Sequence, residues 1–311
     1  MIAMKASEIA SVVQGQLHGD DVTVTQAAVI NSSEATPGSL FLAIKGERVD
    51  GHDYVEDAIN RGAQFALVSK DCKYPAIKVA DVQIALTKLA THVRTNLSEL
   101  TVVGITGSQG KTTTKDLLRH VLSVAGETVA PEESLNNELG VPLLLLRCTK
   151  ATKYCIVEMG ARHLGDISHL TQRARPNIGV VLVVGKAHVG EFGSREVIAK
   201  TKSELISGIV TGGIAILGTY DEFTPNMIAP TGVRTMFFGE KSSCEVRAAD
   251  IEVREGHAHF DLVTPEGRSA VGLRIVGLHQ VANALAVASV ATVLGFSLDQ
   301  IASGLSTAES H

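Results

Sequence analysis

Thr106-Gly107-Ser108-Gln109-Gly110-Lys111-Thr112-Thr113-Thr114 follows the apolar run Leu100-Thr101-Val102-Val103-Gly104-Ile105. A buried strand that enters a glycine-containing turn and leaves it as a helix, expected here over 114–125, is the build of a phosphate-binding loop. Glycines let the backbone come close to a polyphosphate, and successive N–H groups with the helix N-terminus supply partial positive charge. In such a loop Lys111 reaches the distal phosphates, and the hydroxyls of Thr112 and Thr113 suit a magnesium ion. The stretch reads T-G-x-x-G-K-T-T. The stricter spacing G-x-x-x-x-G-K-S/T is not met, because its first position falls on Ile105. Thr106, Gly107, Ser108, Gln109, Gly110, Lys111, Thr112 and Thr113 are therefore the expected nucleotide-binding residues.

Strands and helices alternate onward from this loop. Short strands are expected at 128–130, 154–159, 178–184 and 213–217, and helices at 140–146, 166–173 and 194–209. Continuous apolar strands between helices imply a parallel sheet covered on both faces. After Val233 the texture turns alternating, at 246–253, 257–264 and 269–276, which reads as an antiparallel extension. A helix from His279 through the alanine-rich 283–294 and a short one at 298–305 close the chain.

Residues 1–97 read as a separate α/β unit. Helices are expected at 6–13, 54–61 and 82–97, and strands at 22–29, 38–44 and 65–68, with the domain boundary near residue 98. The fold class is α/β: an N-terminal α/β domain, then a P-loop central domain with a mainly parallel sheet and an antiparallel extension.

The chain has 311 residues, 45% hydrophobic and 20% charged, as in a soluble globular protein. A net charge of −5 gives no basis for a nucleic-acid partner. No apolar run is long enough to span a membrane and no signal-peptide pattern opens the chain, so no membrane insertion and a cytoplasmic setting are expected. Cys72, Cys148, Cys155 and Cys244 are scattered without a C-x-x-C pair and read as buried thiols.

Several side chains fall where open α/β sheets bind ligands, at the carboxyl ends of strands. Glu158 ends one core strand beside Gly160; it is either a magnesium-holding carboxylate or an ion-paired strand-end acid. His188 follows the next strand, within Gly185-Lys186-Ala187-His188-Val189-Gly190-Glu191-Phe192-Gly193-Ser194. Lys200 and Lys202 fall in the following helix, where a solvated face is the plain reading. Asn136 and Asn137 precede a helix, and His279 and Asn283 flank the start of another; capping would explain all four.

Six segments together are similar to the Mur ligases, the ATP-dependent amino-acid ligases of peptidoglycan synthesis. They are T-G-x-x-G-K-T-T/S at 106–113, S-x-N-N-E-x-G-x-P at 134–142, E-M-G-A at 158–161, A-H-x-G-E-F-G-S at 187–194, A-K-x-K-x-E at 199–204 and H-Q-V-x-N-A-L-A at 279–286. E-M-G-A points within the family to the branch that adds D-Ala-D-Ala. The resemblance implies an ATP-dependent carbon–nitrogen ligase. ATP phosphorylates the terminal carboxylate of UDP-MurNAc-tripeptide, and the amine of D-Ala-D-Ala attacks the acyl phosphate. It also implies site roles. Lys111 contacts the γ-phosphate; Thr112 and Glu158 hold a first Mg2+ and His188 a second. Lys202 matches a lysine that is carbamylated in the family and becomes a metal-binding carboxylate. Asn283 lies near the adenine, with His279 beside it, and Asn136–Asn137 near nucleotide and substrate. The catalytic set so implied is Lys111, Glu158, His188 and Lys202.

The first domain resembles the family's UDP-binding module through Pro37-Gly38-Ser39-Leu40-Phe41-Leu42-Ala43, Gly46 and Asp50-Gly51-His52-Asp53. Ser32, Ser33, Gly46 and Asp50 are the expected substrate contacts there. Three segments depart from the family's pattern. Asn31-Ser32-Ser33 replaces Asp-Ser-Arg, Val183 and Lys186 alter the approach to His188, and Gly218-Thr219-Tyr220-Asp221 keeps only the last acid of Asn-Ala-Asp-Asp. The chain stops at His311, about where the family's third domain begins, so the expectation is a two-domain piece or a C-terminal domain supplied in trans. The alternatives are another Mur-type ligase, of the folylpolyglutamate or cyanophycin synthetase kind, and a catalytically silent nucleotide-binding fragment.

Overall fold

The computed structural model describes residues 1–131, 135–185 and 193–309. The chain divides into two compact units, Met1–Leu100 with Leu139–Thr152, and Thr101–Glu138 with Lys153–His311.

In the first unit β1 (Met4–Lys5), β2 (Gln16–His18), β3 (Thr23–Val24), β4 (Ala28–Val29), β5 (Leu40–Leu42), β6 (Phe65–Val68) and β7 (Ala76–Lys78) form two sheets. β1 pairs with β3, and the larger sheet runs β2-β7-β6-β5-β4. Neighbours from β4 to β7 are parallel, and β2 is antiparallel to β7. Every residue of β5 and β6 is buried, as expected of strands covered on both faces. The single strand expected over 22–29 is broken. The N–H groups of Thr25 and Gln26 both donate to the Gly38 carbonyl at 3.0 Å, so β3 and β4 join different sheets. Helix Val82–Asn96, capped by the Asp81 carboxylate, packs against helices Ala6–Val13 and Gly140–Leu145. All six residues of Gly140–Leu145 are buried, which explains why this segment leaves its sequence neighbours to complete the first unit.

The second unit is a nine-stranded sheet: β8 (Thr101–Thr106), β9 (Glu127–Val129), β10 (Thr152–Glu158), β11 (Ile178–Val181), β12 (Ile214–Gly218), β13 (Arg234–Gly239), β14 (Val246–Arg254), β15 (His257–Thr264) and β16 (Gly267–Val276). Their order is β16-β15-β14-β13-β12-β11-β8-β10-β9. Pairing is parallel from β10 through β8, β11, β12 and β13 to the first residues of β14, and antiparallel along β14-β15-β16. The antiparallel extension thus begins later than the change of texture at Val233, because Met236-Phe237-Phe238 prolongs the parallel part.

Side chains alternate across this sheet. Val103, Ile105, Val180 and Ile216 pack with helices Lys111–Ser123, Gln280–Val293 and Leu298–Thr307 in one buried cluster. Gly104 and Gly179 stand out of phase and lie against the helix Arg195–Ser207 side. A Cβ on Gly104 would come within 2.8 Å of Leu205 Cδ1, so the missing side chain lets that helix sit close over the central strand. Cys148, Cys155 and Cys244 are buried free thiols, whereas Cys72 is exposed, against expectation.

Candidate active site

The parallel register sets the chemistry. Glu158 pairs with Ile105 and Val181 with Thr106, so β8, β10 and β11 end at one level beneath the glycine turn. Thr106 is buried and its hydroxyl donates to the Met159 carbonyl at 2.9 Å, tying the mouth of the loop to the end of β10. The Ser108 N–H donates to the Val183 carbonyl and the Ser108 hydroxyl accepts from the Gly185 N–H, each at 2.9 Å, which fixes the loop to the segment after β11.

The helix starts at Lys111, three residues earlier than its sequence suggests, because Gly110 caps it. Gly110 has φ +84°, and its carbonyl accepts the Thr114 N–H at 2.9 Å. A Cβ there would sit 2.3 Å from Asn283 Oδ1, so both conformation and space call for glycine. Beneath the loop the buried Asn283 has Oδ1 3.3 Å from the Thr114 hydroxyl that donates to it, and its Nδ2 donates to Gln280 Oε1 at 2.7 Å. Asn283 therefore packs against the loop's own helix, with both ends of its amide engaged. His279 is exposed at the head of helix Gln280–Val293.

Above the loop a cleft of about 700 Å3 has Gly107, Lys111, Asn136, Asn137, Glu158 and Lys202 in its lining, together with Glu138, Arg162, His163, Asp166 and His169. Lys111 Nζ donates to the Gly107 carbonyl at 3.0 Å. Glu158 is only 4% exposed, and both its oxygens are engaged by other expected site residues. Thr112 Oγ1 donates to Oε2 at 3.2 Å and Asn136 Nδ2 to Oε1 at 3.3 Å. Lys202, a solvated lysine by its helix alone but a catalytic residue by the resemblance, lines this cleft. Burial first, and the Lys111 charge second, push its ammonium pKa down to about 8. Lys200, two residues earlier, is exposed. Gln109 is exposed on the turn and Thr113 half-buried beyond it; neither lines the cleft. His188, the second-metal ligand implied by the resemblance, and Ser134 lie outside the described residues.

Three organising residues escaped the sequence reading. Lys115, 3% exposed, donates to the Pro131 carbonyl at 2.8 Å and pairs with Asp116, anchoring the chain that leads to Asn136. Glu204 accepts the N–H groups of Gly165 and Ser168 at 2.7 and 2.9 Å. Asp166 accepts those of Arg162 and His163, both at 2.8 Å. Glu204 stood in a quoted motif, yet its task depends on chain 36 and 39 residues away. The retained acid Asp221 is a fourth fixed point, since Oδ2 accepts the Val184 N–H at 2.9 Å while Oδ1 takes those of Phe223 and Thr224.

In the first unit Asp50 caps the turn Gly51–Tyr54. Oδ1 accepts the His52 N–H at 3.1 Å and contacts His52 Nδ1 at 2.6 Å, and Oδ2 accepts from Lys70 at 2.5 Å. The Ser69 N–H donates to His52 Nε2 at 2.9 Å, so the network assigns the imidazole proton to Nδ1, facing Asp50. Lys70 foremost, then His52, hold the Asp50 carboxyl well below the usual carboxylate range. Ser32 is buried, Ser33 is exposed with its N–H on Asn31 Oδ1 at 3.1 Å, and Gly46 donates to the Val49 carbonyl at 2.9 Å.

A glycine turn at the head of a central parallel strand, a lysine in the turn and a strand-end glutamate beside its threonine define a phosphate-loop nucleotide-binding domain. Residues 105–291 match the Mur ligase middle domain, and residues 26–94 the Mur ligase family catalytic domain. The chain belongs to the Mur ligase family. It is 40% identical to the UDP-N-acetylmuramoyl-tripeptide–D-alanyl-D-alanine ligase of Mycobacterium tuberculosis strain H37Rv, across 99% of this chain and 66% of that protein. Crystal structure I of MurF from Acinetobacter baumannii superposes with a TM-score of 0.90 at 35% identity, covering 99% of this chain and 69% of that one. MurF ligase from Thermotoga maritima in complex with ADP gives 0.77 at 33% identity, over 93% and 67%. The chain thus spans just under two thirds of the length of the mycobacterial relative. Among the described residues no helix is long and apolar enough to cross a membrane, and no group of three His, Cys, Asp or Glu is arranged to hold a metal ion.

Proposed function

We propose that the chain carries the nucleotide-binding and acceptor-binding parts of an ATP-dependent ligase that joins D-Ala-D-Ala to UDP-MurNAc-tripeptide in peptidoglycan precursor synthesis. The observation behind this reading is that Lys111, Glu158 and Lys202, from three separate elements, line one cleft, with Thr112 hydrogen-bonded to Glu158. Kinship with ligases of that name supports the substrate pair, and the ADP complex of the Thermotoga relative supports the nucleotide.

In this reading ATP lies along residues 106–113 with Lys111 on its terminal phosphates. The tripeptide carboxylate attacks the γ-phosphorus, the bond to the β-phosphate bridge breaks, and ADP leaves. The dipeptide amine then attacks the acyl carbon; the C–O bond to phosphate breaks, and the nitrogen sheds its proton. Both steps bring anions together, so positive charge fixed in advance lowers the barrier most. The Thr112 hydroxyl and the Glu158 carboxylate, 3.2 Å apart, are hard oxygen donors that suit Mg2+. Bound there, the ion would neutralise charge on the nucleotide's distal phosphates.

Lys202 fits the carbamate role implied by kinship. It sits in the cleft, and burial enlarges the share of neutral amine, the form that adds CO2. Residues 1–97 would form the UDP-MurNAc-peptide domain, with Asp50 shaping its turn, and 98–311 the central ATP-binding domain. Asn283 would act on the nucleotide through the loop it braces. The test is a mass-spectrometric assay with ATP, Mg2+, UDP-MurNAc-tripeptide and D-Ala-D-Ala, with phosphate release followed in parallel. UDP-MurNAc-pentapeptide and stoichiometric phosphate are expected. Tight nucleotide binding without any product would overturn the ligase reading for this chain in favour of a silent nucleotide-binding module.

A further inference from the structure

Residues 160–163 line the cleft beyond Glu158, in a loop bounded by Gly160 and Gly165 whose backbone is held at several points. The Gly160 N–H donates to the Asn136 carbonyl at 3.0 Å. Asp166 Oδ2 takes the N–H groups of Arg162 and His163, and Glu204, reaching across from helix Arg195–Ser207, takes those of Gly165 and Ser168. Two carboxylates thus satisfy four backbone donors. The start of helix Asp166–Ala174 has its own acid partner in Glu204, so the anion-binding capacity of the wall passes to its side chains. Arg162 lines the cleft and is exposed, and among the described residues its guanidinium has no hydrogen-bond or ion-pair partner. The backbone that bears it is fixed; the charge it bears is unspent.

We infer that Arg162 is a carboxylate-binding residue of this cleft, gripping a free carboxylate of a peptide substrate while a different carboxylate reacts near Lys111. The inference rests on the function proposed above and names the residue that selects its substrates. A guanidinium presents a planar fork of donors that matches a carboxylate in two parallel hydrogen bonds, and it stays charged at any working pH. Arg162 is the fourth residue after Glu158, a span of at most about 14 Å. That is the scale of a two- or three-residue peptide laid along the cleft. Lys111 is the cation of the phosphate loop, and Lys202 lines the cleft with it. Arg162 is the arginine of that lining, and its fork of donors suits a carboxylate. Under the proposed function two molecules carry such a group: the acceptor peptide, in its non-reacting carboxylate, and D-Ala-D-Ala, in its C-terminus.

The experiment measures binding of UDP-MurNAc-tripeptide and of D-Ala-D-Ala to the MgADP-saturated protein, wild type against Arg162→Gln and Arg162→Lys. Each ligand is also tested with its free carboxylate amidated. Arg162→Gln is expected to weaken one of the two ligands about tenfold or more, and Arg162→Lys by less. The amidated form of that ligand should bind wild type as weakly as the parent binds the variant, with no further loss in the variant. Which ligand responds identifies the source of the carboxylate. Equal affinities of wild type and Arg162→Gln for both ligands would overturn the assignment, as would a loss of the same size for parent and amide. If wild type binds MgADP but neither ligand, the proposed function itself fails and the assignment falls with it.

Discussion

Glu158 in the second unit and Asp50 in the first are both acids that the sequence marks as site residues, yet their surroundings differ in kind. Glu158 is met by side chains from two other elements, Thr112 and Asn136, and all three belong to or adjoin an open cleft. Asp50 is met by its own turn, through the His52 N–H and ring, and by Lys70. The first arrangement gathers separated chain around space for a ligand. The second makes a loop rigid by closing its polar groups on one another. Glu158, met from separate elements beside a cleft, is placed for chemistry; Asp50, tied to its own turn and to Lys70, shapes a loop.

That contrast can be broken or sharpened by substitution. The largest effect is expected at Gly110→Ala, where a positive φ and a Cβ 2.3 Å from Asn283 Oδ1 act together. Destabilisation of about 2 kcal/mol or more, with loss of MgADP binding, should appear in denaturant unfolding and calorimetric titration; a neutral variant would mean the loop tolerates a different start to its helix. Lys115→Met comes next. It strips the buried Pro131 carbonyl of its donor and should cost about 2 kcal/mol, measured by urea unfolding, with Asn136 protected less against hydrogen exchange. An unchanged midpoint would deny Lys115 its anchoring part. The smallest effect is expected at Asp50→Asn. Because folding lowers the Asp50 pKa, its stabilisation is present above about pH 4 and is lost as pH falls below the unfolded value. The variant should therefore show a flatter acid loss of hydrogen-exchange protection over residues 45–54 between pH 5 and 3. An acid limb as steep as in wild type would place the titration elsewhere.

Much of the second unit could be read from its residues, since continuous apolar strands and a glycine turn carry their own local signals. The register that aligns Glu158 with Ile105 follows from parallel pairing of such strands. What escaped reading is what other chain segments decide. The helix expected from Thr114 begins at Lys111, where the left-handed Gly110 cap brings its start forward. The strand over 22–29 alternates well, but the Gly38 carbonyl breaks it. Lys202 by its helix alone is one more lysine, marked only by the resemblance, and burial in the folded unit, with the Lys111 charge second, is what lowers its pKa. Glu204, Lys115 and Arg162 matter through contacts or free space that no local pattern encodes.

The most direct test is MgADP binding by wild type and Lys111→Ala, with thermal unfolding of both as control. Among the described residues the Lys111 side chain makes one hydrogen bond, to the Gly107 carbonyl, so the variant should unfold at a nearly unchanged temperature. The account predicts binding by wild type and a loss of about a hundredfold in the variant. Equal affinity in two equally stable proteins would contradict it.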